Sequence, residues 1–270
     1  MDPATLIGIA LAFGAMFTML TMEGASPSSI LLPAPMILVF FGTIAVGLAS
    51  GTISDALVAV KALPGAFKGK IASAKELIAQ MVSIAEVARS EGLLAMEAQA
   101  QEAKDPFLQR ALQSLADGVD GEDLRVQLED DIATKERTDA IGYKFFASMG
   151  GFAPTVGIIG TVVSLTHVLE NLSKPDELGH MIAAAFVATL WGLVSANFMW
   201  LPIGARMRRI SELEVDRMTL VMEAILAIQS GSQPLVLGER LRAMVPAHEL
   251  KDKRGGDSAD SALPRLKDAA

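Results

Sequence analysis

The chain has 270 residues, 51% of them hydrophobic, and a net charge of −8. That charge argues against nucleic acid as a general partner, and the absence of cysteine excludes disulfides and thiolate metal sites. The apolar residues fall in long blocks separated by charged stretches, which argues against one soluble domain and for an integral membrane protein with a large aqueous part.

In chain order, Thr5–Met22 is the first block close to the roughly 20 residues needed to cross a bilayer. Only Asp2 is charged before Glu23, so the basic leader of a signal peptide is missing and a retained span is predicted. Ile30–Ala49 is the second block. Gly51 to Lys144 reads as helices between turns. Apolar residues at 71, 74, 77, 78, 81, 84, 85 and 88 make an amphipathic helix over Ile71–Ala88. Gly92 interrupts a second run, Leu93–Ala103, and Asp105-Pro106 opens a third helix. Asp117-Gly118-Val119-Asp120-Gly121 is a turn. Asp120 caps a long helix from Glu122 that is predicted to pass through Lys144 into a third span, Phe145–Leu169. Met181–Ile203 is the fourth, and a helix continues from Arg206 to Ile228, with a short one over Pro234–Val245.

The predicted fold is an all-α integral membrane protein. It has four transmembrane helices, a helical cytoplasmic domain between the second and third, and a cytoplasmic C-terminal helix and tail. As domains this is a hairpin over 1–50 (spans about 5–22 and 30–49), a helical module over 51–144, and a second hairpin over 145–204 (spans about 145–169 and 181–203). Helices follow over 205–245, and a polar tail over 246–270 is predicted to be disordered. Of the 23 basic residues only Lys174 lies outside 51–144 and the stretch from Arg206 onward. The positive-inside rule therefore puts both of those segments, and both termini, in the cytoplasm.

The third and fourth blocks contain no Asp, Glu, Lys or Arg. Each carries small and hydroxyl residues at steps of three and four: Ala153, Gly157, Thr161 and Ser164 on one, Ala185, Thr189, Gly192 and Ala196 on the other. Such a stripe suits a close helix crossing or the border of a polar path, not a lipid face. Thr161 and Thr189 are candidates to line an ion path, with Thr155 a third; the plainer alternative is a hydroxyl bonded back to its own helix. Gly157, Gly160, Ala185, Gly192 and Ala196 read as packing positions. Pro154 removes a backbone donor within an apolar helix and kinks it; passive tolerance of that kink is the alternative. His167, His180 and His248 are too scattered for a metal cluster. No phosphate loop, Ser/His/Asp set or HExxH occurs, so no enzyme constellation is read.

Three stretches then carry a resemblance: Ala88-Arg89-Ser90-Glu91-Gly92-Leu93-Leu94-Ala95-Met96-Glu97 with Asp105-Pro106-Phe107 and Leu115-Ala116-Asp117-Gly118; Ala153-Pro154-Thr155-Val156-Gly157-Ile158-Ile159-Gly160-Thr161-Val162; and Phe186-Val187-Ala188-Thr189-Leu190-Trp191-Gly192 leading to Ala196-Asn197 and Leu201-Pro202-Ile203. Together with Ala227-Ile228-Gln229-Ser230-Gly231, in this order, they resemble the flagellar stator branch of the MotA/TolQ/ExbB proton channel family, over nearly the whole chain to about Val245. The resemblance implies a bacterial inner-membrane subunit of a homo-oligomer, a pentamer, surrounding a MotB-like single-span partner. That partner carries a membrane Asp and a peptidoglycan-binding domain. The pair would convert H⁺ or Na⁺ flow into torque on the rotor protein FliG, with no cofactor and no metal. It also implies that Arg89 and Glu97 contact the rotor, where the residues alone suggest only a solvated helix face. Pro154 and Pro202 would couple ion passage to motion, and Thr161 and Thr189 would face the pore. The competing readings are a TolQ/ExbB-like energiser of an envelope protein and a membrane scaffold without transport.

Overall fold

The computed structural model describes residues 4–68 and 73–250. The expected tail lies largely outside them, since its residues 251–270 are not described. Every regular element among the described residues is helical. The chain divides into two compact units, 1–71 with 126–219, and 72–125 with 220–270.

The first unit is built from apolar helices. Helix α1 is Ala4–Met22, α2 is Pro33–Ala49 and α3 is Ile53–Lys68. The second block begins at Pro33 and not at Ile30, because Pro27–Ser29 forms a 3-10 turn capped by the Ser26 side chain. Pro33 then starts the helix at the position where a missing N–H costs nothing. Helix α2 is thereby 17 residues long, about 25 Å, at the short limit for a span. Among the described residues three other helices are long and apolar enough to cross a membrane: α1, and parts of the two long helices that follow the central module.

The first of those two, Gly121–Glu170, is a single helix of 50 residues, about 75 Å in length; here it is α7. Its start is capped as its sequence suggests, the Asp120 carboxylate accepting from Glu122 N at 3.0 Å. Pro154 lies inside this helix without ending it. The second is α8, Pro175–Val194, which passes through a π-helical turn, Ser195–Trp200, directly into α9, Leu201–Gln229. In that turn Leu201 N donates to Ala196 O, five residues back. Pro202 comes next and has no N–H to return to the α-helical ladder, so a widened turn stands where the regular bond is lost.

Helix α2 lies along α8 and also meets α7. A Cβ on Gly47 would fall 2.9 Å from Met149 Cγ, and one on Gly42 3.0 Å from Val156 Cγ1. Val39 is fully buried in a cluster with Val187, Trp191 and Val194. The Trp191 indole N–H donates to the Ile30 carbonyl at 2.6 Å, tying the loop before α2 to the last turn of α8. A buried indole needs such a partner. Phe13 of α1 meets Phe198 edge to face, with ring centroids 5.6 Å apart.

The second unit is an amphipathic bundle. It holds α4 (Ala74–Glu91), α5 (Met96–Glu102), α6 (Pro106–Ala116), the first turn of α7, the end of α9, α10 (Pro234–Ala243) and the single turn α11 (Ala247–Leu250). Leu77, Ile78, Met81, Ile84 and Ala85 form the buried face of α4, the period read from the sequence, although residues 71 and 72 lie outside the described set. The expected run Leu93–Ala103 divides into a 3-10 turn, Leu93–Ala95, and α5. Asp105 caps α6, accepting from Phe107 N at 3.0 Å. Val221, Ile225, Leu237 and Leu241 complete the core. Glu223 sits between Arg125 and Arg240, paired with both, and the Gln229 amide donates to Val119 O.

Candidate functional site

The two small-residue stripes meet. Gly157 and Gly192 face each other so closely that a Cβ on Gly157 would lie 2.9 Å from the Ala188 carbonyl oxygen and 3.0 Å from Gly192 Cα. The reverse holds for Gly192, whose Cβ would sit 2.9 Å from the Ala153 oxygen. Gly160 is equally tight, 2.9 Å from Ala188 Cβ and from Leu38 Cδ2. Ala185 on α8 and Ala196 in the π turn that follows it are buried. Only residues without a side chain allow backbones to approach this way, which is why the crossing of α7 and α8 needs glycine from both.

One turn beyond the glycine pair, this approach brings the two threonines into contact. Thr161 Oγ1 and Thr189 Oγ1 share a hydrogen bond. Thr161 Oγ1 also lies 3.0 Å from Ala185 O and 3.1 Å from Gly157 O. A hydroxyl has one proton and two lone pairs. When Thr161 donates to a carbonyl, Thr189 donates to Thr161 and keeps an oxygen lone pair for a water or a cation. Both side chains are half-buried, so the pair is neither sealed nor fully wet. No acidic or basic residue occurs in 145–169 or 181–203. The site can therefore solvate a cation but cannot neutralise one.

Thr155 is not part of this arrangement. It is exposed and donates to Phe152 O at 2.7 Å; six residues from Thr161, it points to another side of α7. Pro154, two turns before Thr161, shares its face and is half-buried. Having no N–H, it leaves the Gly150 carbonyl without its helical donor. Pro202 is half-buried at the joint between the π turn and α9. Sequence reasoning missed that turn, since no residue pattern marks a π insertion; it also missed the bond from Trp191 to Ile30, although a tryptophan in a buried stripe signals that a partner is needed.

Arg89 and Glu97 stand in the other unit. Arg89 is exposed in the last turn of α4, beside a groove of about 200 Å³ lined also by Gly92, Leu93, Ile228 and Ser232. Gly92 has φ +86°, a conformation that suits glycine and turns the chain sharply after α4. Glu97 is exposed in the first turn of α5. Among the described residues neither has an ion-pair partner, and they are not paired with each other. Nor do the described residues hold any group of His, Asp and Glu arranged to bind a metal ion.

Comparison with known proteins adds identity to this geometry. Residues 99–220 match the MotA/TolQ/ExbB proton channel family. Motility protein A of Bacillus subtilis is 33% identical over 92% of this chain and 93% of its own length. Chemotaxis protein PomA of Vibrio alginolyticus is 33% identical over 90% of this chain and 94% of its own. Among solved structures, the C. jejuni MotAB structure superposes with a TM-score of 0.89 at 27% identity, covering 96% of this chain and all of that one. The flagellar MotAB stator complex of Bacillus subtilis gives 0.85 at 32% identity, covering 91% and 97%. The chain belongs to the MotA/TolQ/ExbB proton channel family.

Proposed function

We propose that this chain is the ion-channel stator subunit of a bacterial flagellar motor, working with a MotB-like single-span partner. The observation that carries the reading is the Thr161–Thr189 hydroxyl pair at a glycine crossing in a wall without carboxylates. A charge at the centre of a bilayer costs roughly 2.5–3.5 kcal/mol or more. A conducted cation thus needs a counter-charge in the membrane, and a partner's Asp supplies what this chain lacks. Thr189, with Thr161 behind it, would hold a water or the ion beside that Asp as it exchanges H⁺ or Na⁺. Each charge crossing gains about 2.3 kcal/mol per 100 mV, enough to bias one step of a ring around its partner.

In this reading all four apolar blocks span the inner membrane, both termini are cytoplasmic, and several copies, five in the family's arrangement, enclose the partner. Pro154 and Pro202, one on the face of Thr161 and one below the π turn, absorb the motion that ion passage drives. The module over 51–144, with the helices over 205–245, carries that motion to FliG. There Arg89 and Glu97, exposed and unpaired among the described residues, meet rotor charges across water. Exposed charges favour fast steering and easy release over tight packing, which suits a contact that must be remade at every step. The end-to-end match to motility protein A and PomA favours this reading over a TolQ/ExbB-like energiser, and no catalytic step is assigned. The test is swimming speed and ion flux in a strain carrying only this stator and its partner, measured against sodium concentration and with Thr189→Val. Undiminished flux in the variant would overturn the site.

A further inference from the structure

Two fully buried hydroxyls in the apolar unit take no part in the Thr161–Thr189 pair. Thr43 on α2 and Ser195 at the start of the π turn are each 0% exposed. Other threonines inside helices of this chain return their hydroxyl to a carbonyl four residues back: Thr18 to Gly14 O, Thr138 to Thr134 O, Thr166 to Val162 O and Thr219 to Val215 O. Thr43 does not, and its Oγ1 has no partner among the described residues. Ser195 donates to Gly192 O at 3.2 Å, long for a bond between two oxygens. That carbonyl also accepts the Ser195 N–H, so the hydroxyl can leave it without stranding an acceptor.

The two residues lie at one level of the bundle. On α2, Thr43 falls between Gly42, whose Cβ would meet Val156, and Gly47, whose Cβ would meet Met149. Ser195 falls between Gly192, whose Cβ would meet the Ala153 oxygen, and Leu201, which packs on Gly150. Both therefore stand beside the turn of α7 around Ala153. Thr43 is one turn after Val39 and Ser195 directly follows Val194, and those two valines belong to one buried cluster. Gly192 is midway between Ser195 and Thr189, about 4.5 Å from each along the axis, and there α8 meets α7 backbone to backbone.

We propose that α8 rocks on the Gly157–Gly192 contact between two alternative hydroxyl bonds, and that Thr43 and Ser195 are positioning residues for the exchange of the ion at Thr161 and Thr189. The inference rests on the reading of that pair as part of the ion path. In this structure Thr161 and Thr189 are bonded and Thr43 is left over. In the other state Ser195 donates to Thr43 Oγ1, its arm of α8 moves toward α2, and the opposite arm carries Thr189 off Thr161, which keeps its carbonyl neighbours Ala185 O and Gly157 O. The π turn begins at Ser195, so the helix is already widened where that arm must bend. A buried hydroxyl without a partner is costly. The second state satisfies Thr43 and breaks the threonine pair, so one bond is exchanged for another and the two states stay close in energy.

The full chain with its membrane partner is reconstituted in vesicles, and ion flux per complex is measured against pH and against sodium concentration. The variants are Thr43→Val, Ser195→Ala, the two combined, and Thr43→Ser. Without the second bond the ion-holding state dominates. Each single variant is therefore expected to lower maximal flux several-fold and to lower the half-saturating ion concentration with it. The combined variant is expected to be no worse than either single one, and Thr43→Ser to recover most of the flux. A residue that only packed would change the amount of complex and neither quantity per complex. Thermal unfolding of Thr43→Val in detergent is expected to come no earlier, because the hydroxyl it removes is unbonded here. Unchanged flux in both single variants, additive losses in the combined one, or a half-saturating concentration that stays or rises overturns the proposal. So does an earlier unfolding of Thr43→Val, or a loss in Thr43→Ser as deep as in Thr43→Val. Thr189→Val separates the two readings: full flux there overturns the ion path itself, whereas lost flux there beside unaffected Thr43→Val and Ser195→Ala overturns only the rocking of α8.

Discussion

The two regions on which the proposed function rests are built on opposite rules. At the crossing of α7 and α8 everything is neutral and close, and a single added carbon would strike backbone within 3.0 Å. Around Arg89 and Glu97 the side chains are charged, exposed and unpaired among the described residues. On the proposed function the first region works in a medium where charge is costly and shape is decisive, and the second in water, where a charge costs nothing to hold and acts at a distance. A substitution should therefore damage the first through geometry and the second through interaction alone.

The largest effect is expected at the crossing itself. Gly157→Leu drives a side chain into the Ala188 carbonyl and should cost about 3 kcal/mol, seen as loss of intact complex from detergent extracts and loss of swimming; normal yield would show that the helices separate more easily than their contact implies. Next, Thr189→Val keeps the shape but removes the hydroxyl. Ion flux and swimming should fall at least about tenfold, the scale of one lost hydrogen bond or ligand, while assembly is retained. Thr189→Ser should recover most of it, and Thr155→Val, on another side of α7, should change little.

Trp191→Phe leaves the Ile30 carbonyl without its donor and should lower stability by about 1–3 kcal/mol, measured as an earlier thermal transition in detergent. In the aqueous unit, Glu223→Gln weakens the pairs with Arg125 and Arg240 and should cost about 1 kcal/mol, a smaller shift in the same assay. Arg89→Ala should change stability by less than about 0.5 kcal/mol, yet lower torque at a given ion gradient. A measurable loss of stability in Arg89→Ala would blur the contrast between the regions, because the side chain would then be holding the bundle together.

Periodicity and punctuation made most of the helices legible in advance. The period in α4, the Asp105 and Asp120 caps, and the run of α7 through Lys144 follow from local rules that act within a few residues. So did the hydroxyl stripes: a line of Gly, Ala and Thr on an otherwise apolar helix needs a close neighbour wherever it sits. What the stripes could not say was which neighbour. That Thr161 bonds Thr189, and that Gly157 faces Gly192, depends on the register of two helices joined by a loop, a choice made by packing over the whole crossing.

The order of charge and hydropathy along the chain was enough for the all-helical class and the neutral character of the α7–α8 wall, since each depends on composition alone. Tertiary structure decided the hydroxyl pair, the Trp191 tether to Ile30 and the π turn before Pro202. Each of these joins residues far apart in sequence or reflects a competition between backbone bonds. Their free energies are set by contacts that exist only after the helices have packed.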